Sequence, residues 1–374
     1  MKVGIDARLL TRPLTGIGRY LLEMVRALSK IDSIKICLFS PVAICQSNLL
    51  GLESVKLITG HKKHCFSWQA WSKCKLPFLV RAENIDVFWG PAHSLPPFLP
   101  ARVVRVVTIH DLVWKFAPST MRPHSYLLER FQMPYSMKSA DAVVVDSHAT
   151  AVAVLDEFGV DERKVTVISP GAGMQQDNTL IDIRNEQVVG QDYFLFVGTL
   201  EPRKNLSRLL RAYAKLSAHV KEQANLIIVG GKGWGKVDVR AIVAELDLVK
   251  YVRILGYVDD SKLLDLYKNA KFLAMPSLYE GFGLPIIEAM IHGVPVLTSD
   301  NSSMPEVAGD AGILVDAKDV DSIKKGLETL ITDEVFRMKL AQNAKPNAAR
   351  FDWRRSAMEL QLVFEDAVSE RKVR

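Results

Sequence analysis

Residues 272–298, FLAMPSLYEGFGLPIIEAMIHGVPVLT, indicate the fold class of the chain. A short apolar run, Phe272–Met275, is followed by a glycine-containing loop, then by a helical stretch over Leu284–His292 and a second apolar run, Val294–Thr298. Near-continuous apolar strands joined through a helix are typical of a parallel sheet that is covered on both faces. This stretch therefore predicts an α/β unit.

The same alternation extends along the whole chain. In the first half we predict strands over Lys2–Asp6, Ile34–Phe39, Val87–Trp89, Val103–Ile109, Ala142–Asp146 and Val165–Ile168. In the second half we predict further strands over Tyr193–Val197, Leu226–Val229, Val252–Leu255 and Ile313–Val315. Helical stretches separate many of these runs, among them Ile17–Lys30, Thr150–Phe158, Leu206–Leu216 and Ser261–Asn269. The chain is therefore expected to form two doubly wound, Rossmann-like domains.

A polar stretch with little periodicity, Ser169–Asp192, marks the boundary between the two halves. We predict a first domain over residues 1–170, a linker over 171–192 and a second domain over 193–350. An amphipathic helix is expected within residues 351–374.

Composition narrows the class of protein. The 374 residues are 48% hydrophobic and 24% charged, which excludes collagen-like, coiled-coil and wholly disordered chains. No run of about 18 uninterrupted apolar residues is present, so we expect no spanning helix. Met1 leads straight into a strand without the apolar segment of a signal peptide, which favours a cytosolic chain.

The net charge of +6 is unevenly distributed. Residues 1–174 hold 21 lysines and arginines against 14 acidic residues, whereas residues 175–374 hold 27 against 28. This asymmetry indicates an anionic partner for the first half. A nucleic acid, a membrane surface and a phosphorylated substrate all fit, although no nucleic-acid-binding module accompanies the charge.

Candidate binding residues come directly after predicted strands. Gly16 and Gly18 follow the first strand, where bare backbone N–H groups at a helix N-terminus favour an anion. A tight turn without a ligand is the alternative. Leu21 occupies the third position of a G-x-G-x-x-G fingerprint, so nicotinamide binding is disfavoured. His110 follows the strand Val103–Ile109 and is placed to meet substrate hydroxyls, unless it is a surface histidine beside a capping Asp111.

Two loops in the second half carry charged side chains. Arg203 and Lys204 follow the strand Tyr193–Val197 and could clamp a phosphate, with Asn205 capping the next helix. The alternative is a solvated basic loop. In the second loop, Glu280 precedes two glycines, and Glu288 lies eight positions later inside the predicted helix. One carboxylate could accept hydrogen bonds from sugar hydroxyls and the other from a ribose diol.

Together these segments resemble a known family. The motifs TGIGRY, IHD, VGTLEPRKN, ILGYV, PSLYEGFGLPIIEAMIHGVPV and PEVAGDAGILV are similar to those of the retaining, nucleotide-sugar-dependent glycosyltransferases of family 4. That resemblance implies the GT-B fold, in which two Rossmann-like domains face a central cleft and a C-terminal helix crosses back to the first domain. The motifs VGTLEPRKN and EGFGLPIIEAM most resemble those of bacterial mannosyltransferases of O-antigen and capsule assembly.

The resemblance implies a role for each matching position. Glu288 would hold the ribose, Arg203 and Lys204 the diphosphate with help from the N–H of Gly16, and His110 would lie near the reacting face of the sugar. The donor sugar would contact Glu280, Gly281, Phe282 and Gly283, and the base would be bordered by Gly230, Tyr257 and Val258. Many family members carry arginine where this chain has Thr199.

The implied activity is transfer of mannose from GDP-mannose to a lipid-diphosphate-linked oligosaccharide, at the cytoplasmic face of the inner membrane. Cations beside the departing diphosphate can replace a metal ion, so we expect neither a metal nor another cofactor. The alternatives are a nucleotide-sugar epimerase, a UDP-sugar-dependent transferase and a non-catalytic nucleotide-sugar-binding protein. Asp319 and Asp321 form an Asp-x-Asp pattern, which we interpret as a helix cap.

Residues 61–76 combine cations with indole side chains. They could rest on an anionic lipid surface, or form a packed helix with Trp68 and Trp71 toward the core. His61, His64, Cys65 and Cys74 have zinc-ligand chemistry without the spacing of a zinc finger, which disfavours a zinc site.

Overall fold

A computed structural model describes residues 1–12, 14–60, 68–173, 192–235 and 238–373. The chain divides into two compact units. The first unit contains Met1–Leu112, Leu127–Gly171 and Phe351–Arg374, and the second contains Val113–Tyr126 and Ala172–Arg350. Most of the predicted linker, residues 171–192, lies outside the described residues.

The first unit is built on a parallel sheet of seven strands. These are β1 (Lys2–Asp6), β2 (Lys35–Ser40), β3 (Lys56–Thr59), β4 (Val87–Gly90), β5 (Val104–Ile109), β6 (Ala142–Val145) and β7 (Val165–Val167). Their order across the sheet is β3-β2-β1-β4-β5-β6-β7. The register pairs Gly4 with Cys37 on one side of β1 and with Phe88 on the other. A switch of direction on either side of β1 is the arrangement of a doubly wound sheet.

The helices from the first part of the chain are α1 (Gly16–Leu28), α2 (Trp68–Cys74), α3 (Leu76–Ala82), α4 (Val113–Phe116), α5 (Pro123–Ser139) and α6 (His148–Phe158). The backbone is extended at Thr15, so α1 begins at the first glycine of the TGIGRY motif. Ser147 caps α6 by accepting a hydrogen bond from the N–H of Thr150, and Gly159 ends it in a left-handed conformation.

The second unit contains a parallel sheet of six strands. These are β8 (Tyr193–Val197), β9 (Asn225–Val229), β10 (Val252–Gly256), β11 (Leu273–Met275), β12 (Val296–Ser299) and β13 (Gly312–Val315), in the order β10-β9-β8-β11-β12-β13. The remaining helices are α7 (Leu206–Ala214), α8 (Ala218–Lys221), α9 (Val239–Glu245), α10 (Asp260–Asn269), α11 (Leu284–Ile291), α12 (Met304–Ala308), α13 (Val320–Thr332), α14 (Glu334–Ala348) and α15 (Trp353–Val373).

The central strands are buried along their whole length, because helices cover both faces of each sheet. All five residues of β8 and of β9 are buried, and Phe194 stacks on Phe272 at a ring-centroid distance of 4.9 Å. The predicted α/β class with two Rossmann-like units is confirmed. The strand β3 was not predicted, because its residues are mostly exposed and carry no apolar run.

The last helix of the chain, α15, packs in the core of the first unit. Leu360 and Phe364 are fully buried there, and Ser356 Oγ donates a 2.6 Å hydrogen bond to the carbonyl oxygen of Ser169. A Cβ atom at Gly171 would lie 2.3 Å from the backbone nitrogen of Trp353, so only glycine allows this close approach. None of the described helices is long and apolar enough to cross a bilayer.

Candidate active site

The predicted donor-binding residues of the second unit follow four adjacent strands. Arg203 and Lys204 follow β8, Gly230 follows β9, Tyr257 follows β10 and Glu280 follows β11. Because the sheet is parallel and its order is β10-β9-β8-β11, these loops lie at one edge. Ligands of open α/β sheets bind at this edge, beyond the carboxyl ends of the strands.

Glu280 brings the two predicted cations together. Its Oε2 accepts a 2.6 Å hydrogen bond from Arg203 Nη1, and its Oε1 accepts a 2.8 Å bond from Lys204 Nζ. The two loops are also joined through their backbones, since the N–H of Leu278 donates to the carbonyl oxygen of Arg203. Two cations from one loop are therefore fixed on a carboxylate from another.

The charges on this cluster set the ionisation of Glu280. Burial by itself raises the pKa of Glu280, but the neighbouring Arg203 and Lys204 charges outweigh it and lower the pKa to about 2. The carboxylate is thus ionised at neutral pH. An ammonium group has three donors, so Lys204 can hold Glu280 and still bind an anion. The cluster offers positive charge to a phosphate and acceptor oxygens to hydroxyl groups.

Glu201 is a site residue that the sequence interpretation missed. Its Oε1 accepts a 2.6 Å hydrogen bond from Arg203 Nη2, and the side chain is buried. Burial raises the pKa of this carboxyl group above its ordinary value. The pattern VGTLEPRKN does place an acidic residue two positions before an arginine, but that spacing alone does not reveal an ion pair. Arg203 is thus held between two carboxylates.

The glycine-rich loop after β11 is held in place by two serines. Ser302 Oγ accepts from the N–H of Glu280, and Ser303 Oγ donates to the carbonyl oxygens of Glu280 and Phe282. Gly283 has φ +101°, a conformation that side-chain-bearing residues rarely adopt, and immediately precedes α11. These contacts hold the backbone of Glu280 and Phe282 in the turn that leads into α11.

Gly230 allows two backbones to approach at the ends of β8 and β9. It has φ +151°, and a Cβ atom there would lie 1.9 Å from the carbonyl oxygen of Gly198. No other residue fits this position without moving the backbone.

Glu288 lies on α11, eight positions after Glu280. Its Oε2 accepts a 2.8 Å hydrogen bond from the hydroxyl of Tyr267 on α10. Tyr257, also expected to border a base, is largely exposed after β10, and Val258 next to it is half-buried. Glu280 and Glu288 therefore have different hydrogen-bond partners in the structure.

The predicted capping role of the Asn205 side chain is wrong. Asn205 precedes α7 with φ +60°, and its side-chain amide donates instead to the carbonyl oxygens of Pro276 and Ala317. These two bonds tie the Arg203 loop to the segments after β11 and β13. By contrast, Asp319 caps α13 as predicted, because its side chain accepts from the N–H of Asp321.

In the first unit, Gly16 and Gly18 lie in the first turn of α1, after β1, and His110 follows β5. His110 is buried, with Nδ1 2.6 Å from Asp146 Oδ2 and Nε2 2.7 Å from the carbonyl oxygen of Pro91. A carbonyl oxygen only accepts hydrogen bonds, so Nε2 carries a proton and donates it to Pro91, while Nδ1 faces the Asp146 carboxyl group. Burial lowers the pKa of His110, but the Asp146 charge and hydrogen bond outweigh it and raise the pKa above its ordinary value.

Asp146 is a second residue that the sequence interpretation missed. It follows β6 as His110 follows β5, and these strands are neighbours in the sheet. An acidic residue directly after an apolar strand was the signal that could have found it. Both imidazole nitrogens of His110 therefore have hydrogen-bond partners within the first unit.

Part of the stretch 61–76 can be placed. Trp71 is buried in α2, as the packed-helix interpretation requires, whereas Lys73 and Lys75 are exposed. His61, Lys62, Lys63, His64 and Cys65 lie outside the described residues.

Comparison with known proteins identifies the family of the chain. The sequence profile described as "Glycosyltransferase Family 4" matches residues 14–175, and the one described as "Glycosyl transferases group 1" matches residues 178–347. The two matches together span most of the chain. The chain belongs to the family 4 glycosyltransferases.

Relatives of this family 4 glycosyltransferase include the O-antigen chain mannosyltransferase B of Escherichia coli. The two are 29% identical over 94% of this chain and 96% of that protein. Among solved structures, sucrose-phosphate synthase from Thermosynechococcus elongatus has a TM-score of 0.77 at 18% identity, and covers 99% of both chains. Anabaena HepE in complex with UDP and glucose has a TM-score of 0.75 at 20% identity, over 97% of this chain and 99% of that one. At these identities the two structures show the shared GT-B fold.

Proposed function

We propose that this glycosyltransferase moves mannose from GDP-mannose to a lipid-diphosphate-linked oligosaccharide in O-antigen assembly, with retention of anomeric configuration. The observation that carries the donor site is the Arg203–Glu280–Lys204 cluster at the strand edge of the second unit. The choice of mannose and of the acceptor is supported by the similarity to O-antigen chain mannosyltransferase B, which extends over nearly the whole chain.

The cluster suits the chemistry of this transfer. When the glycosidic bond of a nucleotide sugar breaks, negative charge accumulates on the departing diphosphate, and preorganised cations stabilise it. Arg203 and Lys204 supply that charge in our proposal, with no metal ion or other cofactor taking part. Glu280, ionised at neutral pH, accepts hydrogen bonds from the sugar hydroxyls. Glu288 holds the ribose, and Gly230, Tyr257 and Val258 border the base.

The first unit takes the acceptor in this proposal. Its positive charge fits a lipid diphosphate, which carries several negative charges. Since the acceptor is anchored in lipid, the enzyme works at the cytoplasmic face of the inner membrane, in peripheral contact with it. Nucleic acid is not a partner.

A thermal-shift panel with GDP, UDP, ADP and their sugar conjugates, each with and without Mg²⁺, tests the donor. A ligand at 100 times its Kd stabilises the folded state by about 2.7 kcal/mol. We expect shifts with GDP and GDP-mannose that Mg²⁺ does not change. A shift restricted to UDP compounds would replace mannose by another sugar, and no shift with any nucleotide would overturn the donor site.

The nucleotide panel does not exclude an epimerase or a non-catalytic binding protein, so these two alternatives need a second assay. UDP-sugars are part of the thermal-shift panel because HepE, solved with UDP and glucose, shares the fold. An epimerase would change the sugar when given the donor alone, whereas the transferase leaves the sugar unaltered without an acceptor. We therefore expect donor-only incubation to yield at most slow hydrolysis, and a lipid-linked oligosaccharide to start transfer. A non-catalytic binding protein would give the thermal shift but no product.

A further inference from the structure

One face of α5 is exposed and apolar. Leu127, Phe131 and Tyr135 are 52%, 72% and 45% exposed, and they recur every four residues. At about 100° per residue, this spacing places them on one side of the helix. Apolar residues in α5 also face inward, since Met133 and Met137 are buried. A surface helix normally shows polar residues on its outer side, so α5 departs from the usual pattern.

The other exposed residues of this side are basic or uncharged. Arg130, Pro134 and Lys138 lie within the same arc of about 140° as the three apolar residues. Glu129, the one carboxylate in the α5 sequence, points about 200° away from Leu127. We call the set Leu127, Arg130, Phe131, Pro134, Tyr135 and Lys138 the α5 face. It combines aromatic rings with positive charge and contains no negative charge.

Another helix of the same unit exposes apolar residues without this charge pattern. Met358 and Leu362 of α15 are also exposed and four residues apart. Their side of α15 includes the exposed carboxylates Glu365 and Asp366 as well as arginines. Exposed apolar residues thus occur elsewhere in the first unit, but there they are accompanied by both signs of charge.

The loop between β4 and β5, which contacts the buried side of α5, also exposes an aromatic ring. The N–H of Leu95 donates a 2.9 Å hydrogen bond to Ser136 Oγ, which ties the loop between β4 and β5 to α5. Phe98 in this loop is exposed and has φ +64°, a strained conformation for an aromatic residue. Loop and helix therefore expose apolar rings from adjacent parts of the first unit.

We propose that the α5 face rests on an anionic lipid bilayer, with Leu127, Phe131 and Tyr135 among the headgroups and Arg130 and Lys138 on the lipid phosphates. Helices that lie in the plane of a bilayer show this combination of aromatic or leucine side chains with basic residues. Anionic lipid complements a surface that holds only positive charge. The inference deepens the proposed function, on which it rests for a lipid-linked acceptor, by assigning the membrane contact to α5.

Flotation with phosphatidylglycerol–phosphatidylcholine vesicles tests the charge. Each basic residue near such a surface contributes several-fold to partitioning, so Arg130→Glu with Lys138→Glu should lower the bound fraction at least about twentyfold. The matched control, Arg354→Glu with Arg355→Glu on α15, changes the net charge equally and should bind like the wild type. Equal losses in the two pairs, or no loss in the α5 pair, would overturn the proposal.

A second pair tests the apolar side chains. Leu127→Gln with Phe131→Gln should reduce binding about tenfold or more, because glutamine gains little from leaving water. Met358→Gln with Leu362→Gln is the control and should leave binding unchanged. If the α5 pair instead abolishes a dimer in sedimentation while vesicle binding persists, the face is a contact between copies of the chain and the proposal is wrong.

The thermal shift with nucleotide separates the two hypotheses. All four variants lie outside the donor cluster and should keep the wild-type shift, which also shows that they are folded. Lost vesicle binding with a normal shift supports the α5 face. Wild-type vesicle binding by the α5 variants rejects the α5 face even when the donor panel succeeds. Failure of the nucleotide panel in the wild type rejects the donor site and leaves the flotation result standing.

Discussion

Lys204 Nζ lies 2.8 Å from Glu280 Oε1, and the two buried side chains come from loops 76 residues apart in the chain. The contact joins the loop after β8 to the loop after β11. It therefore links the positions of these two loops to the ionisation of Glu280. Removing Glu280 takes away the carboxylate that holds both cations, and breaking a buried pair in this way typically costs about 3–5 kcal/mol of stability. Removing Lys204 leaves Glu280 paired with Arg203.

Both members of this pair should be needed for activity. We expect Glu280→Ala and Lys204→Ala each to lower kcat/KM by about 10²-fold or more, the size of a lost electrostatic contact to the transition state. Steady-state kinetics measure this effect, and circular dichroism at the assay temperature checks folding. Lys215→Ala, which removes an exposed ion pair with Asp321, is the control. Near-wild-type kcat/KM in either site variant would contradict the assignment.

The low pKa of Glu280 predicts how stability depends on pH. A carboxyl group whose pKa is about 2 when folded and 4.5 when unfolded stabilises the folded state above pH 4.5. That contribution, about 3 kcal/mol, should be lost as the pH falls from 4.5 toward 2. Urea unfolding of the wild type and Glu280→Gln at pH 7, 4 and 3 measures it. The difference in unfolding free energy should shrink with acidification, and a constant difference would refute the pKa.

Gly230 and Gly231 should respond differently to a methyl group. Gly230→Ala places a Cβ atom 1.9 Å from the carbonyl oxygen of Gly198, so the backbone must move and we expect a loss above about 2 kcal/mol. Gly231→Ala is a matched control, because a Cβ atom there meets nothing within 4 Å. Thermal unfolding of both variants measures the effect. Similar stability of the two would show that the close approach is not a constraint.

The bond to Asp146 should keep His110 protonated above its ordinary range. A raised histidine pKa stabilises the folded state fully below the unfolded pKa, and this stabilisation disappears as the pH rises through the folded pKa. Asp146→Asn should lower the His110 pKa, which NMR titration of the ring proton signals reports. Asp161→Asn, at an exposed ion pair of the same unit, should leave the titration unchanged. An unaltered His110 pKa in Asp146→Asn would disprove the coupling.

Glu288→Ala should act mainly on donor binding. Ribose contacts change little while the glycosidic bond breaks, so we expect a higher KM for the donor with kcat reduced less than threefold. Tyr267→Phe, which removes the hydroxyl bonded to Glu288, should raise the donor KM by a smaller factor. A large fall in kcat with unchanged KM would place Glu288 at the reacting centre instead.

The central strands of both sheets were predictable from the sequence. Strands such as β8 and β11 are buried on both faces and therefore appear as apolar runs. Arg203, Lys204 and Glu280 could be chosen as candidate site residues because they follow those predicted strands. The pairing among them was not predictable, since it depends on contacts 76 residues apart. The role of Asn205 was missed because its partners, Pro276 and Ala317, lie in distant loops. Glu201 was missed because a spacing of two residues does not by itself reveal its ion pair with Arg203. The edge strand β3 lacks an apolar pattern and was missed for that reason.

The position of α15 has a consequence for the order in which the chain folds. Leu360 and Phe364 complete the core of the first unit, although they lie near the end of the sequence. During synthesis, domains usually fold in order from the N-terminus. Here the second unit can close its sheet once residue 350 has been made, whereas the first unit waits for the final helix. A ribosome-bound chain should therefore protect β8 from protease before β1, the reverse of their order in the sequence.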